Sequence, residues 1–341
     1  MALLEEKKYD TGEAVLNYAE GPDSGPPLVL LHGLTDCWQY FLPILPALSL
    51  RSHIYALDFR GHRGSSRSPP YRYCDHISDN ISFLENVIGE EATLFGASMG
   101  RGVSLMVAGN RHDLVRAIVF GDASLNVENV QTVMSNYHSY WSGWMELAAF
   151  EGFMEELVRA VAEMPISVPG QGKSRYGEGL DITAIINKAN YLRHLNPAVL
   201  DDWANGAENP DAYENGTRGH NQDLLRDIEC LVMFLQANPA LGGIMPDEEV
   251  EGALTLIPHT YHVYFKDYGH NLGLYSWKTG PLLQARILQE VENERNEDTG
   301  IDHSGFLPFV EDCRRVNGYS SGSQAPYYGY NAGQYSGYCD D

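Results

Sequence analysis

The sequence lacks long apolar runs, an excess of basic charge and clustered cysteines. No run approaches the ~20 apolar residues of a membrane-spanning helix, and the first ten residues hold no apolar stretch of signal-peptide length. Lys and Arg number 23 against 46 Asp and Glu, a balance that argues against partners such as nucleic acid or an anionic membrane surface. The five cysteines are scattered, odd in number and without metal-ligand spacing. We therefore expect a soluble cytoplasmic protein with no metal site.

What the sequence does contain is a regular alternation of short apolar runs and helical patterns in its first third. Strands are predicted at 26–31, 54–57, 92–95 and 115–120, with a crossover helix at 38–50 between the first two. Strands that alternate with helices form a parallel sheet covered on both faces, and ligands bind beyond the carboxyl ends of its strands. We therefore predict an α/β fold with a mostly parallel central sheet.

The alternation stops after the fourth strand and returns with an apolar run at 231–236. The intervening segment carries helical patterns broken by prolines and glycines, which is most simply an inserted helical cap. We predict a core formed by 1–123 and 224–294, a cap over 124–223 and a tail over 295–341. The tail mixes charge with tyrosine, glycine, serine and asparagine, a composition too poor in aliphatic residues to order itself.

A serine lies between two glycines directly after the third predicted strand, in the stretch Gly96-Ala97-Ser98-Met99-Gly100. Glycines at this spacing allow a turn so tight that the central side chain projects from the strand end. A helix that begins at Met99 places its N-terminal amides beside Ser98, where they stabilise developing negative charge. The pattern is typical of an acyl-transfer nucleophile, and an incidental serine in a glycine-rich turn is the alternative that it leaves open.

A serine hydroxyl needs a histidine to accept its proton. Of the twelve histidines, His270 follows the last predicted strand at 262–265, so its loop reaches the same edge of the sheet as Ser98. His32 and His62 also follow strands, but each adjoins a glycine or a tight turn, and we expect them to hold loop structure through hydrogen bonds. We predict His270 as the general base.

Four motifs in this order resemble those of the cap-bearing α/β-hydrolases, over about residues 15–291. They are His32-Gly33-Leu34, Asp58-Phe59-Arg60-Gly61-His62, the elbow from Gly96 to Gly100, and Gly269-His270. The resemblance implies an α/β-hydrolase fold without a cofactor, with Ser98 as nucleophile and His270 as base. It also implies an oxyanion hole made of the backbone N–H groups of Leu34 and Met99.

Three positions depart from the pattern of that family. Arg63 interrupts the motif after the second strand, and Arg101 follows the elbow where a small residue is common. Many members carry the triad acid after the strand that follows the cap, where this chain has Asn238. An asparagine cannot supply the negative charge that stabilises an imidazolium, so the acid must come from another position or be missing.

Two aspartates are candidates for that acid. Asp122 ends the fourth predicted strand, a site used by a branch of the family, and keeps the chain order of nucleophile, acid and histidine. Asp247 begins a predicted helix, where a capping role also explains it. We predict Asp122 as the acid, with Asp247 and a triad that lacks its acid as the alternatives.

The predicted function is hydrolysis of an ester or lactone bond in a small, hydrophobic substrate through a Ser-His-Asp triad. Trp38, Trp141 and Trp144 are candidate lining residues of the substrate pocket, and packing in the protein interior is the simpler role for each. The serine at the elbow argues against the chemistry of epoxide hydrolases and haloalkane dehalogenases, which use a carboxylate nucleophile. Carbon–carbon bond hydrolysis, acyl transfer and a non-hydrolytic ligand-binding protein on the same scaffold stay open.

Overall fold

The computed structural model describes residues 4–272 except 51, 126–137, 169–171, 179 and 209–221. The predicted tail over 295–341 and the last predicted helix of the core lie outside the described residues. The described part is built around an eight-stranded, mostly parallel sheet, which confirms the predicted α/β class.

Ten strands are described, and eight of them form the central sheet. In chain order they are β1 Glu5–Asp10, β2 Val15–Glu20, β3 Pro27–Leu31, β4 His53–Asp58, β5 Ala92–Gly96, β6 Val115–Phe120, β7 Pro165–Val168, β8 Gly172–Arg175, β9 Leu231–Ala237 and β10 Thr260–Phe265. The order in the sheet is β1-β2-β4-β3-β5-β6-β9-β10. The pairs β1/β2 and β2/β4 are antiparallel, whereas every pair from β4 to β10 is parallel. The remaining strands, β7 and β8, form a separate antiparallel hairpin.

Nine α-helices lie within the described ranges. They are α1 Leu45–Leu48, α2 Tyr73–Phe83, α3 Met99–Asn110, α4 His138–Ala148, α5 Met154–Glu163, α6 Ile182–Arg193, α7 Pro197–Glu208, α8 Gln222–Arg226 and α9 Asp247–Leu256. The crossover helix predicted at 38–50 is wrong as a single element: a 3₁₀ turn at Trp38–Phe41 precedes the short α1. Pro43 and Pro46 lack the N–H groups that a continuous helix would need there.

Burial follows the position of each strand in the sheet. Every residue of β3, β5 and β9 is buried, because helices or loops cover both faces of central parallel strands. Hydrophobic side chains form two clusters, one of which contains Leu94, Phe120 and Phe234 and the other Phe41, Phe95 and Tyr261. Adjacent residues such as Leu94 and Phe95 fall in different clusters, as the period of a strand requires.

The antiparallel end of the sheet is absent from the sequence predictions. β1 reads Glu-Glu-Lys-Lys-Tyr-Asp, and its residues are exposed or half-buried. Such charge hides the strand pattern in the sequence, and in the fold it protects an edge strand from pairing with other chains. The hairpin of β7 and β8 was also not predicted. Within the described ranges, no helix is both long and apolar enough to span a bilayer.

The segment between β6 and β9 rests on the carboxyl edge of the sheet. Its backbone contacts the loop after β4: the Arg63 N–H donates to the His194 oxygen at 2.9 Å, and the Asn196 N–H donates to the Gly61 oxygen at 2.8 Å. The described part of this segment is mainly helical, and these two bonds attach it to the loop after β4.

Candidate active site

The predicted nucleophile lies at a strained turn between β5 and α3. Ser98 has backbone angles of φ 50° and ψ −113°, a conformation that non-glycine residues rarely adopt. Close contacts explain its flanking glycines: a Cβ on Gly96 would lie 2.3 Å from the Gly100 oxygen, and one on Gly100 would lie 2.1 Å from the Leu31 oxygen. The turn therefore holds the Ser98 side chain at the carboxyl edge of the sheet, as an elbow motif does.

Ser98, His270 and Asp122 form a continuous hydrogen-bonded relay. Ser98 Oγ lies 3.1 Å from His270 Nε2, and His270 Nδ1 lies 2.9 Å from Asp122 Oδ2. A carboxylate only accepts hydrogen bonds, so Nδ1 carries the imidazole proton and Nε2 accepts from the serine hydroxyl. The His270 side chain is 28% exposed, whereas that of Asp122 is fully buried. Three side chains from separate loops thus meet in the order of a nucleophile, a base and an acid.

Backbone amides hold the Asp122 carboxylate in place. Its Oδ1 accepts from the Ala237 N–H at 3.0 Å, and its Oδ2 accepts from the Ile244 N–H at 2.8 Å. Ala237 is the last residue of β9, and Ile244 lies in the loop that follows. With His270 Nδ1, three N–H donors compensate the cost of burying this carboxylate.

The other candidate positions for the acid are used differently. Asn238 Nδ2 donates to the Lys266 oxygen at 2.6 Å, and its Oδ1 accepts the backbone N–H two residues further on at 2.9 Å. Asp247 is exposed at the start of α9, and its Oδ1 accepts from Gln236 Nε2 at 2.6 Å. Among the described carboxylates, the one after β6 is the hydrogen-bond partner of His270.

The loop after β3 brings backbone N–H groups beside the serine. A Cβ on Gly33 would lie 3.4 Å from Ser98 Cβ, so this loop passes directly over the nucleophile. His32 Nδ1 donates to the Gly33 oxygen at 2.7 Å, and its Nε2 accepts a backbone N–H at 3.1 Å. The Gly33 carbonyl and the Leu34 N–H share one planar peptide, so this bond fixes the direction of the Leu34 N–H. The Met99 N–H begins α3 and has no acceptor within the helix.

A buried histidine cluster, formed by His32, His62 and His76, lies behind that loop. The His32 ring centroid is 4.8 Å from that of His62, and the Phe59 ring packs edge-on against His32 and His76. His62 Nε2 donates to the Leu34 oxygen at 2.8 Å. Burial lowers the pKa of His62, and it lowers the pKa of His32 and of His76 well below the usual value. His32 and His62 thus bind loop backbone, as the sequence predicts.

The family of the chain follows from its sequence over most of this fold. The family model described as alpha/beta hydrolase fold matches residues 26–274, a range that includes β3, the elbow, the Asp122 loop and His270. The chain belongs to the α/β-hydrolase family. The parallel sheet from β3 to β10 and the turn at Ser98 lie within the matched range.

Relatives match this chain over part of their length. It is 33% identical over 124 residues to a 2-(acetamidomethylene)succinate hydrolase of Mesorhizobium japonicum, a match that covers 36% of this chain and 44% of the relative. It is 31% identical over 134 residues to a haloalkane dehalogenase of Mycolicibacterium paratuberculosis, which covers 38% and 44%. The matched region spans less than half the length of these relatives.

Solved structures show the same fold over nearly the whole described chain. The crystal structure of E-2-(acetamidomethylene)succinate hydrolase superposes with a TM-score of 0.63 at 19% identity, covering 85% of this chain and 100% of that chain. An N-acyl homoserine lactonase superposes with a TM-score of 0.58 at 15% identity, covering 88% and 99%. At such low identity, the similarity shows the fold.

The three tryptophans predicted to line the pocket are packed to different degrees. Trp38 is buried in the 3₁₀ turn after β3, and its backbone N–H donates to Asp58 Oδ1 at 2.8 Å. Trp144 is buried edge-on against Tyr176, and Trp141 is half-buried against the same cluster. Their contact with substrate stays a prediction. In the described part of the chain, no group of three His, Cys, Asp or Glu side chains could hold a metal ion.

A buried ion pair beside the oxyanion loop was not predicted from the sequence. Lys188 Nζ, on α6, lies 2.5 Å from Asp36 Oδ1 and 2.9 Å from Thr35 Oγ1. A Cβ on Gly33 would lie 2.8 Å from Asp36 Oδ2, so the pair adjoins the loop that covers the nucleophile. It ties the segment between β6 and β9 to that loop. No local pattern could reveal it, because 152 residues separate its partners.

Proposed function

We propose that the protein is a serine hydrolase that cleaves an ester or lactone bond of a small, partly apolar substrate through an acyl-enzyme. The observation that carries the proposal is the relay from Ser98 through His270 to Asp122, whose two hydrogen bonds measure 3.1 and 2.9 Å. Over such distances a general base accepts the proton of a nucleophile while a carboxylate orients and stabilises the base.

In the first half-reaction, Ser98 Oγ attacks the substrate carbonyl and its proton moves to His270 Nε2. The Asp122 carboxylate stabilises the imidazolium, and the Leu34 and Met99 N–H groups stabilise the oxyanion of the tetrahedral intermediate. When the intermediate collapses, the bond to the leaving oxygen breaks and His270 returns the proton to that oxygen. The acyl group is then an ester of Ser98.

In the second half-reaction, a water molecule replaces the leaving alcohol. The partly exposed imidazole of His270 accepts a proton from this water as the water oxygen attacks the acyl carbonyl. The same N–H groups stabilise the second oxyanion, and the proton returns to Ser98 Oγ as the free acid leaves. For a lactone, the leaving alcohol stays attached to the acyl group, and one ring-opened product is released.

The activities named for similar proteins support acyl substrates. They include a lactonase and an acetamidomethylene succinate hydrolase. A haloalkane dehalogenase is also similar in sequence, but Ser98 cannot act as the carboxylate nucleophile of that chemistry. A triad without its acid, which Asn238 suggests, would favour the ligand-binding alternative; the hydrogen bond of the Asp122 carboxylate to the histidine speaks against it.

The proposal is tested with a chromogenic short-chain ester and a fluorophosphonate probe. The wild-type protein is expected to release a burst of chromophore equal to the enzyme concentration and to be labelled at Ser98. Ser98→Ala is expected to lose labelling and to lower kcat by about 10⁶-fold. Ser104→Ala is the matched control, since Ser104 lies on the same helix and its hydroxyl donates to the Gly100 oxygen at 2.8 Å. It should keep the burst.

A panel of esters, lactones and amides then ranks the acyl substrates by kcat/KM. A wild-type protein that is neither labelled nor active on any of them, yet retains an apolar ligand tightly, would refute hydrolysis and favour the ligand-binding alternative.

A further inference from the structure

The loop that carries the proposed acid is held at more than one point. Two residues after Asp122, the Ser124 backbone oxygen accepts a hydrogen bond from Arg101 Nη2. The Ser124 hydroxyl donates to Glu249, with oxygen distances of 2.8 and 3.0 Å, and the Leu125 N–H also donates to Glu249. A positive and a negative side chain thus bind the same short loop.

These two side chains come from elements that contact the rest of the relay. Arg101 lies on α3, three residues after Ser98, and Glu249 lies in the first turn of α9. The loop before α9 contains Ile244, whose N–H binds the Asp122 carboxylate. The contacts therefore connect the helix of the nucleophile and the helix after β9 to the loop of the acid.

Arg101 is an expensive residue to bury. It is 2% exposed, and burial lowers the pKa of its guanidinium. Among the described residues, its Nε and Nη1 atoms have no hydrogen-bond partner, which costs folding free energy. Its Cζ lies 5.9 Å from the centroid of the Phe120 ring, at the end of β6. Related elbows commonly have a small residue at this position. Because burial of Arg101 costs folding free energy, we expect Arg101 to have a role that a small residue cannot fill.

We propose that Arg101 and Glu249 are positioning residues that hold the loop of Asp122 at a fixed position relative to Ser98, a role that rests on the proposed function. The need for them comes from the chain path. After Phe120 the chain leaves the sheet for a long segment and re-enters it only at Leu231. A loop at the start of that segment moves with it unless it is tied to the core. Arg101 and Glu249 connect this loop to the helices of the core, and they do not touch the reacting atoms.

The test detects the hydrogen bond between Asp122 and His270 by proton NMR, so it does not depend on catalytic activity. An imidazole N–H that is bonded to a carboxylate gives a proton NMR signal far downfield of the amides, and its loss in His270→Gln assigns it. Arg101→Met removes the charge and the donors but keeps a long apolar side chain. We expect it to lose or broaden this signal. Arg111→Met is the control, because Arg111 directly follows the same helix and pairs with Glu85 and Asp113 at the surface.

Glu249→Gln is the second variant, and Glu248→Gln is its control. Glu248 lies beside Glu249 in the first turn of α9 and is exposed, so both substitutions remove one charge from the same helix end. We expect Glu249→Gln to weaken the downfield signal and Glu248→Gln to leave it unchanged. If Arg101→Met fails to fold, the comparison of Glu249→Gln with Glu248→Gln tests the proposal on its own.

Kinetics with the short-chain ester provide the second readout. In both variants, kcat per fluorophosphonate-titrated site is expected to fall by about 10- to 100-fold with KM unchanged, the effect of a misplaced catalytic group. A purely structural role would lower the number of titrated sites and leave kcat per site unchanged.

An intact downfield signal and a wild-type kcat per site in folded Arg101→Met would overturn the positioning role. If the wild-type protein cannot hydrolyse any ester but its downfield signal still depends on Arg101, the proposed function fails and the positioning role stands.

Discussion

Replacement of Asp122 by asparagine tests the relay with the smallest change of shape. The Asp122 carboxylate accepts three N–H donors, at 3.0 Å from Ala237, 2.8 Å from Ile244 and 2.9 Å from His270 Nδ1. An asparagine amide keeps one oxygen and replaces the other with an NH₂ group, which only donates. Whichever way the amide faces, the NH₂ group lies opposite an N–H donor.

The size of the effect follows from that mismatch. If the NH₂ group faces Ala237, one buried N–H loses its acceptor and stability falls by about 1–3 kcal/mol. If the NH₂ group faces His270, the imidazole must present an acceptor at Nδ1 and its proton moves to Nε2, so that it cannot accept the proton of Ser98. In both orientations the negative charge opposite the imidazolium is gone. We expect kcat of Asp122→Asn to fall by about 10⁴-fold.

The assay is kcat for the short-chain ester, normalised to titrated serine, together with urea unfolding. Asp247→Asn is the matched control. Its carboxylate is exposed and accepts one side-chain N–H, from Gln236 at 2.6 Å, so we expect kcat close to that of the wild type. A full kcat in Asp122→Asn together with a large loss in Asp247→Asn would refute the assignment of the acid.

Three other contacts give measurable outcomes. Asn238→Asp, added to Asp122→Asn, should not restore kcat, because the side chain at position 238 is directed at the Lys266 oxygen, in the loop after β10, and not at the His270 ring; recovery would show that it can reach the imidazole. Lys188→Met leaves Asp36 buried without its cation and should cost about 3–5 kcal/mol by urea unfolding, and a loss under about 1 kcal/mol would contradict this. The buried histidine cluster binds fewer protons in the folded than in the unfolded chain, so stability should fall as the pH drops below about 6.5, by at most about 4 kcal/mol per pH unit. Asp58, whose pKa burial raises to about 6, opposes this below pH 6, and a urea midpoint that is flat from about pH 8 to about pH 5 would contradict the cluster's role.

The parts of the site that could be predicted are those set by residues next to each other in the chain. The elbow at Ser98 needs two glycines at fixed spacing, and this spacing is visible in the sequence, although the contact that requires Gly100 is with the Leu31 oxygen of the neighbouring strand β3. His270 could be placed because the loop after the last predicted strand must open at the same sheet edge. In both cases a local pattern and a simple topology were sufficient.

The parts that could not be predicted depend on distant pairs. The acid could be narrowed to Asp122 or Asp247, but the amides that hold Asp122 are 115 and 122 residues away in sequence. The ion pair of Lys188 with Asp36 and the contact of Glu249 with Ser124 span similar separations. Arg101 could be recognised as unusual, but its partner could not be identified without the fold.

The position of the acid has a structural explanation in the order of the strands. β9 lies between β6, which precedes Asp122, and β10, which precedes His270. A carboxylate after β6 must therefore reach across the end of β9 to meet the histidine. Its bonds to the Ala237 and Ile244 N–H groups show that it does so, because both belong to the end of β9 and the loop that follows.

Asp122 thus places its carboxylate over the strand end from which an acid at Asn238 would project. The side chain at position 238 is used differently: Asn238 Nδ2 donates to the Lys266 oxygen at 2.6 Å, a bond that a carboxylate, which only accepts, could not make. An amide at position 238 therefore fits a fold in which the acid follows β6. The asparagine that first suggested an incomplete triad is instead compatible with a complete one. Because the Asp122 carboxylate lies over the end of the strand next to β6, its position depends on the loop that carries it as well as on β6.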